Sequence, residues 1–364
     1  MSADRQLAPS TVEEEAGALA GRLFEAALAV LEFPTIWLGT KLGLYAAVTE
    51  PGNAAEVAAR SGVRERYARE WLEQQAIAGL VTVEDAAAPP GERRYVLSDA
   101  QRLVLHDDSP FNLGALAYFS GGLGESLPHV LDAWRSGTGL SYAAYGDDFR
   151  TGQGLFNKGD YHGPLTTSWL PSVPDLDAAL RRDGARALDV GCGVGWSSIA
   201  LATAYPGLSV LGIDSDESSV MDARANAASA GLSDRVRFEV RAAQEGAPGE
   251  FDSAFFFESL HDLGHPVPAL AAVRSTLREG GAVFVMEEGA AEQFAPDGSP
   301  VERILAASSV LHCLPVGLSE DGAEGTGALL RPATLAAFAE QAGYASSEVL
   351  PIEHDMMRFY LLRT

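Results

Sequence analysis

The feature that most constrains the fold is an alternation of strand and helix patterns that runs from Ala185 to the end of the chain. Short apolar runs such as ALDV, SVLGID and AVFVM are separated by longer segments with apolar residues at helical spacing. Strands separated by helices are typical of a parallel, doubly wound sheet covered by helices on both faces. A helix over 332–342 and strands over 347–350 and 358–362 add an antiparallel pair. The pattern therefore predicts an α/β fold with a Rossmann-like sheet of seven strands.

The first two strands of this region carry the features of a nucleoside site. In LDVGCGVG a strand runs into Gly191, Gly193 and Gly195, and a helix follows at once. Glycines let the backbone turn tightly and approach a ligand, while the free N–H groups of the helix point at it. The second strand ends in Asp214, 19 residues after Gly195, where such folds bind a ribose hydroxyl pair. The spacing GxGxG is not the dinucleotide fingerprint GxGxxG, so a pyrophosphate is not required.

The charge of the chain restricts its partners. The 364 residues have a formal net charge of −24, which disfavours the polyanions nucleic acid and anionic membrane and favours a small-molecule ligand. The N-terminal residues show no basic segment followed by an apolar run, and no later stretch reaches the roughly 18 apolar residues of a membrane span. We expect a cytoplasmic protein. Its two cysteines, Cys192 and Cys313, are far apart and are predicted to be free thiols.

The N-terminal part predicts a winged helix-turn-helix. Apolar positions at helical spacing fill residues 11–48, and the following segments are a helix over 54–60, a turn at 61–62, a helix over 64–79, and strands over 80–83 and 95–97. Such a fold can bind DNA through arginines of its second helix. Here Arg64, Arg66 and Arg69 alternate with Glu65 and Glu70 in an acidic chain, so we expect packing or dimerisation instead.

These patterns divide the chain into three predicted parts. Residues 1–105 form a mostly helical winged-helix dimerisation domain, and residues 181–364 form the domain built on the parallel sheet. Residues 106–180 contain many aromatic residues among glycines, and we interpret them as a helical connector that lines a substrate pocket.

With these motifs the chain resembles the class I methyltransferases that use S-adenosylmethionine (SAM). The resemblance implies that the glycine-rich loop holds the amino-acid end of SAM, that Asp189 meets its amino group or a water on it, and that Asp214 binds the ribose. The acidic residue that the family often has near the adenine is replaced here by RAAQ, so the adenine contact passes to Ala243 and Gln244. Glu258, which follows the fourth strand, completes the predicted cofactor site.

The segment ESLHDL at residues 258–263, the segment FNKG at 156–159 and the winged helix together resemble bacterial small-molecule O-methyltransferases that dimerise through their N-terminal domains. The resemblance implies a homodimer in which His261 is the general base and Asp262 orients the substrate. An imidazole with a pKa near 6.5 can take a hydroxyl proton during methyl transfer. Glu287, after the fifth strand, is expected to hold the imidazole tautomer. The predicted substrate contacts are Phe156, Tyr161 and His312.

His312 leaves an alternative open, because the equivalent position in these O-methyltransferases is usually apolar. Bacterial α-keto acid C-methyltransferases, similar to phenylpyruvate methyltransferase, bind a non-haem iron through two histidines at about this separation. His261 and His312 are the candidate pair in that alternative, and without it no metal is predicted. A third hypothesis is a regulatory or non-methylating protein that keeps SAM only as a ligand.

Overall fold

The computed structural model describes residues 11–107, 109 and 112–364. These residues divide into two compact units, one that ends at Gly121 and one that spans Gly122–Thr364. Residues 122–180 of the predicted connector thus belong to the same unit as the parallel sheet. The three-part division stays a prediction, since a boundary at residue 180 is not drawn by this grouping.

The first unit confirms the winged-helix order. Asn53 and Ser98 cap two of its helices with reciprocal hydrogen bonds to Glu56 and Gln101, which explains where these helices begin. A buried hydrogen bond of 2.6 Å joins Tyr45 and Gln75 inside its apolar core. The elements are α1 (Val12–Lys41), α2 (Leu44–Ala47), α3 (Ala54–Ser61), α4 (Glu65–Ile77), β1 (Thr82–Val83), β2 (Tyr95–Val96), α5 (Asp99–Leu105) and the start of α6 (Leu116–Ser136).

Helix α1 differs from the expectation that no segment could span a membrane. By length and composition it is apolar enough to do so, and only 6% of its most apolar 18-residue window is buried. The helix is not a continuous apolar run, since Arg22, Glu25 and Glu32 interrupt it. Its large apolar side chains are exposed, with Phe24 71% and Leu31 72% accessible. Within the described residues, this apolar surface of α1 is left uncovered.

The second unit contains the seven-stranded sheet, and the prediction of this sheet is confirmed. The strands lie in the order β5-β4-β3-β6-β7-β9-β8, with the first five parallel and the last two joined as an antiparallel pair. After α6 the elements are α7 (Gly146–His162), α8 (Pro174–Leu180), β3 (Arg186–Val190), α9 (Trp196–Ala204), β4 (Ser209–Asp214), α10 (Glu217–Ser229), β5 (Val236–Val240), β6 (Phe251–Phe257), α11 (Pro266–Thr276), β7 (Leu277–Glu288), α12 (Pro300–Ser308), α13 (Leu314–Gly317), α14 (Pro332–Gln341), β8 (Ser346–Val349) and β9 (Met357–Arg363).

The centre of the sheet positions the functional residues. Every residue of β6 is buried, as expected for a strand covered on both faces. From β3 the chain continues to β4 and β5 on one side of the sheet, and it then crosses to β6 on the other side of β3. The direction in which strands are added therefore reverses between β3 and β6. Ligands of open α/β sheets bind at the carboxyl ends of the strands at such a switch point. Gly191 and Glu258 directly follow these two strands.

Candidate active site

The glycine-rich turn after β3 depends on glycine at two positions for steric reasons. Gly191 and Gly195 have φ angles of 70° and 84°, which residues with a Cβ rarely adopt. A Cβ on Gly191 would lie 2.4 Å from Cβ of Ser259, and one on Gly195 would lie 2.7 Å from Cζ of Phe238. The turn therefore packs its backbone directly against the segment that follows β6 and against β5.

Asp214, at the end of β4, holds this turn in place. One carboxylate oxygen accepts the N–H of Gly193 at 2.9 Å, and the other accepts the N–H of Asp216 at 2.9 Å. Burial raises the pKa of Asp214 to about 6, although both backbone donors oppose the shift. Because Asp214 also lines the cavity beside the turn, it is placed to meet a ligand hydroxyl.

Asp189 lies behind the turn instead. Its side chain is fully buried, and its Oδ2 accepts the hydroxyl protons of Ser197 and Ser198, both at 2.6 Å. Burial raises the pKa of Asp189 to about 6. It is absent from the residues that line the cavity, and its Oδ1 has no hydrogen-bond partner in the described part of the chain. Asp189 therefore anchors the start of α9.

The structure brings most of the predicted cofactor residues to one cavity in the second unit. Its walls include the glycine turn (Gly191, Gly193, Gly195), together with Asp214, Ala243 and Gln244. Of the residues predicted for cofactor, catalysis and substrate, Glu258, Asp262 and Tyr161 also line it. Phe156, His261, Glu287 and His312 do not. Phe156 is half-buried on α7, next to Asn157, which does line the cavity.

His261 is hydrogen-bonded to one carboxylate, and two further carboxylates lie close to it. It lies in a short 3-10 turn after β6, and its Nδ1 is 2.5 Å from Oε2 of Glu287 and 2.8 Å from Oε2 of Glu288, both at the end of β7. Its Nε2 is 3.1 Å from Oδ1 of Asp262. Glu287 also accepts the N–H of Leu260 at 2.9 Å, which fixes the turn to β7. The ring is 2% exposed, so this arrangement is shielded from water.

The charges of this cluster determine its protonation. Burial lowers the pKa of His261, but the carboxylates of Asp262, Glu288 and Glu287 outweigh it and raise that pKa well above its usual value. Burial also raises the pKa of Glu287, which His261 only partly offsets. For Asp262, burial acts to raise the pKa, and the nearby His261 more than reverses this. Within this cluster, Asp262 is thus the ionised carboxylate that lines the cavity. Nδ1 of His261 donates its hydrogen bond to Glu287.

His312 occupies an aromatic surrounding in the π-helical turn Ser309–Cys313. Its ring stacks on Phe149 with centroids 4.3 Å apart and meets Tyr145 and Tyr142 edge-on at 4.6 Å and 5.7 Å. Its Nε2 is buried and has no hydrogen-bond partner among the described residues. Burial lowers the pKa of His312 to about 4, so the imidazole is neutral at neutral pH.

The cluster offers two groups of side chains whose ligand atoms lie within 4.8 Å of one another. One consists of His261, Asp262 and Cys313, and the other consists of His261, Glu287 and Glu288. His312 belongs to neither group. The iron alternative requires a site that contains both His261 and His312, and neither group of the described residues contains this pair.

Several residues of the site were not predicted. Glu288 follows Glu287 at the end of a strand, and a strand pattern places two such neighbours on opposite faces. The sequence therefore does not predict that both carboxylates lie beside the imidazole of His261, as they do at the end of β7. Tyr142, Arg150 and Arg241 line the cavity without a recognisable motif. Both arginines are already paired, for example Arg150 with Asp222 at 2.8 Å.

Comparisons with known proteins identify the family of both parts of the chain. The sequence profile described as "Methyltransferase domain" matches residues 181–316, and the one described as "Rv2258c-like winged HTH domain" matches residues 27–105. The ubiquinone biosynthesis O-methyltransferase of Aromatoleum aromaticum is 32% identical over 198 residues, which cover 53% of this chain and 75% of that protein. That of Ralstonia nicotianae is 30% identical over 53% of this chain and 74% of its own length.

Solved structures show the same fold over almost the whole chain. Human N-acetylserotonin methyltransferase in complex with SAM has a TM-score of 0.71 at 18% identity, covering 98% of this chain and 99% of that one. Mitomycin 7-O-methyltransferase MmcR has a TM-score of 0.68 at 20% identity, covering 96% and 99%. PigF, solved with S-adenosylhomocysteine (SAH), has 0.68 at 20% identity, covering 98% and 100%. The chain therefore belongs to the class I SAM-dependent methyltransferases, in the O-methyltransferase family that joins an N-terminal winged-helix domain to the seven-stranded catalytic sheet.

Proposed function

We propose that this enzyme methylates a hydroxyl group of a small molecule, with SAM as the methyl donor and His261 as the general base. The observation that carries this proposal is the arrangement of the histidine cluster behind the cavity. Glu287 holds Nδ1 of His261 by a hydrogen bond, and Nε2 lies 3.1 Å from Oδ1 of Asp262, a residue that lines the same cavity as the glycine turn. A base held by a carboxylate on its far nitrogen is the arrangement that hydroxyl deprotonation needs.

The cavity suits SAM, which supplies a methyl group activated by a sulfonium. The turn at Gly191 and Gly193 gives close backbone approach to the amino-acid end, and Asp214 is positioned for the ribose hydroxyls. Ala243 and Gln244 line the wall where the adenine is expected. A buried carboxylate oxygen of Glu258 without a partner also favours a cationic ligand.

In this proposal Asp262 would orient the acceptor hydroxyl, and Nε2 of His261 would accept its proton. When bound, SAM would supply the methyl group to the oxygen and leave as SAH as its methyl–sulfur bond breaks. Glu287 and Glu288 then stabilise the imidazolium. The raised pKa of His261 has two consequences of opposite sign. Fewer molecules hold a neutral imidazole at neutral pH, but each neutral imidazole is a stronger base. An acceptor with an acidic hydroxyl, such as a phenol with a pKa of about 10, suits such a base.

A turnover assay tests the proposal. The purified protein is incubated with SAM and a panel of phenols, naphthols, aliphatic alcohols, amines and α-keto acids, and SAH is quantified by mass spectrometry. We expect SAH to form with hydroxyl acceptors, and fragmentation of the product to locate the methyl group on oxygen. Turnover confined to amines or to the keto acids, with the methyl on nitrogen or carbon, would contradict it.

One observation favours the metal-assisted alternative, namely the neutral and unpartnered Nε2 of His312. Against it, His312 lies in neither group of clustered ligand atoms. Metal analysis of the protein after incubation with ferrous iron separates the two. The alternative requires one bound iron that is lost in His312→Ala, whereas the base proposal requires His261 alone and turnover without added metal.

We also propose a homodimer formed through the first unit. Helix α1 exposes large apolar side chains over its length, and exposed patches of this kind mark interfaces. Light scattering after gel filtration should give twice the monomer mass. Replacing Phe24 and Leu31 together with glutamate should shift the mass toward one chain, whereas Glu25→Gln on the same helix should leave it unchanged. A monomer in the unaltered protein would contradict this proposal.

A further inference from the structure

We propose that Glu258, rather than Asp189, is the carboxylate that binds the α-ammonium group at the amino-acid end of SAM. The inference rests on the SAM site proposed above and assigns one of its polar contacts. It departs from what the family resemblance implies, because the resemblance gives this role to Asp189.

The backbone of Glu258 is held in a rare conformation. Among the described residues only Glu258 and Asp297 combine a side chain with a positive φ, and the value for Glu258 is 50°. Such a conformation costs free energy and persists only where the surroundings impose it, often at ligand sites. Here the N–H of Glu258 donates to the carbonyl of Met286 at 2.7 Å.

The next residue fixes this segment to the glycine turn. The hydroxyl of Ser259 donates to the carbonyl of Val190 at 2.7 Å, and its Cβ occupies the space that a side chain on Gly191 would need. Glu258 is therefore anchored beside the start of the turn. This is the part of the cavity where the amino-acid end of SAM is expected.

The carboxyl group of Glu258 has no ion-pair partner among the described residues. Glu258 lines the cavity, and its Oε1 is buried without a hydrogen-bond partner. Burial and the carboxylate of Glu288 raise its pKa well above the usual value, although His261 acts in the opposite direction. A cation bound beside Glu258 opposes this rise, because its charge favours the ionised carboxylate.

The two arginines that line the cavity, Arg150 and Arg241, form ion pairs with carboxylates other than Glu258. Arg150 contacts Asp222 at 2.8 Å and Asp147 at 2.9 Å, and Arg241 contacts Glu239 at 3.2 Å. Neither arginine of the cavity is therefore paired with Glu258, and a cationic ligand can bind there. An ammonium group has three donors and suits a carboxylate with a free acceptor oxygen.

Asp189 is poorly placed for the same role. Its Oδ2 already accepts two serine hydroxyls at 2.6 Å, and no part of it lines the cavity. Its Oδ1 is buried without a hydrogen-bond partner, as is Oε1 of Glu258, but only Glu258 lines the cavity.

Calorimetric titration of the full chain tests the assignment with two probes. SAH carries the ammonium group, and 5′-methylthioadenosine is the same nucleoside thioether without the amino acid. We expect Glu258→Gln to weaken SAH binding about tenfold or more while leaving methylthioadenosine binding unchanged. Glu348→Gln, on the exposed edge strand β8, removes the same charge far from the cavity residues and should affect neither probe.

Thermal unfolding gives a second readout that a purely structural role would not produce. Glu258→Gln removes a buried carboxyl group that has no ion-pair partner among the described residues, so the Tm of the ligand-free protein should stay the same or rise, while the SAH-induced increase in Tm should shrink. Equal loss of both probes, or a variant that unfolds at lower temperature, overturns the assignment. Loss of SAM binding with SAH binding intact also overturns it, since the sulfonium would then be the partner. Failure of the unaltered protein to bind SAH overturns the SAM site as a whole.

Discussion

The glycine turn that lines the cavity and the histidine cluster that lies behind it are built by different means. The turn after β3 presents mostly backbone, and its contacts come from Asp214, Ser259 and Phe238. The histidine cluster after β6 and β7 consists of buried side chains, with three carboxylates close to His261, and only Asp262 of this cluster lines the cavity. The turn depends on the absence of side-chain atoms at its glycines, whereas the cluster depends on charged groups that are buried close together.

This difference predicts which substitutions damage the glycine turn and which damage the histidine cluster. A backbone site is damaged by adding a Cβ where none fits, whereas a buried charge cluster is damaged by removing a partner or a proton. The four predictions below test this contrast, from the largest expected effect to the smallest.

Replacing His261 should have the largest effect on catalysis. In His261→Asn we expect kcat to fall about 10²–10⁴-fold, because positioned proton transfer contributes that much. SAH affinity should be retained, since the glycine turn does not depend on the imidazole. Both values come from a turnover assay and calorimetry on one preparation. His129→Asn, at an exposed position on α6, serves as the control.

Near-full activity in His261→Asn with intact SAH binding would mean that positioning alone drives transfer. Since the variant leaves Glu287 and Glu288 buried without their partner, Asp262→Asn provides a second test. It should lower kcat/KM for the acceptor and leave SAH affinity unchanged.

Replacing His312 should change how stability depends on pH. Burial lowers its pKa to about 4, so the unfolded chain binds a proton at higher pH than the folded one. The folded protein therefore loses stability as the pH falls from about 6.5 to about 4, by about 3 kcal/mol from this residue. Urea unfolding across this range should show a shallower loss in His312→Gln. The exposed His129→Gln is the matched control, and equal slopes in all three proteins would contradict the burial argument.

Adding a methyl group to the turn should separate steric from conformational effects. Gly184 and Gly191 have similar φ angles of 74° and 70°, but a Cβ meets nothing within 4 Å at Gly184 and lies 2.4 Å from Ser259 at Gly191. Gly184→Ala should cost about 1 to 2 kcal/mol of stability through strain alone. Gly191→Ala should cost more and should also weaken SAH binding in calorimetry. Equal effects of both variants would show that the contact with Ser259 is unimportant.

The pH dependence of turnover should show the smallest effect, about tenfold per pH unit. The base must be neutral, and the carboxylates around His261 raise its pKa well above the usual value of about 6.5. Consequently kcat/KM should fall as the pH drops through that raised pKa, and it should still be rising above pH 6.5. A plateau that extends below pH 6.5 would show that the carboxylates do not control the imidazole.

Much of the fold could be predicted because its signals are local. The strand and helix periods, the glycine spacing and the position of Asp214 each lie within a few residues of one another. The winged helix was likewise evident from short helices, turns and strands in order. Helix α1 was not predicted as a helix of membrane-spanning length because charged residues interrupt its apolar sequence, although its average hydropathy is high enough.

The site was predicted less completely, and the reason is burial. His261 and Glu287 were expected to be partners, but the contribution of Glu288 depends on how β7 ends beside the turn after β6. Asp189 and Phe156 were assigned to ligands from their motifs, yet only the packed structure shows that neither lines the cavity.

The sequence by itself determined the order of strands, the glycine turn, the acidic residue after β4 and the HD segment, because short-range spacing and backbone sterics dictate them. The tertiary structure decided which carboxylates surround His261, which acid faces the cavity, and how far each pKa moves. Those properties depend on how far residues distant in the chain bury each side chain, and a local sequence pattern does not predict that burial.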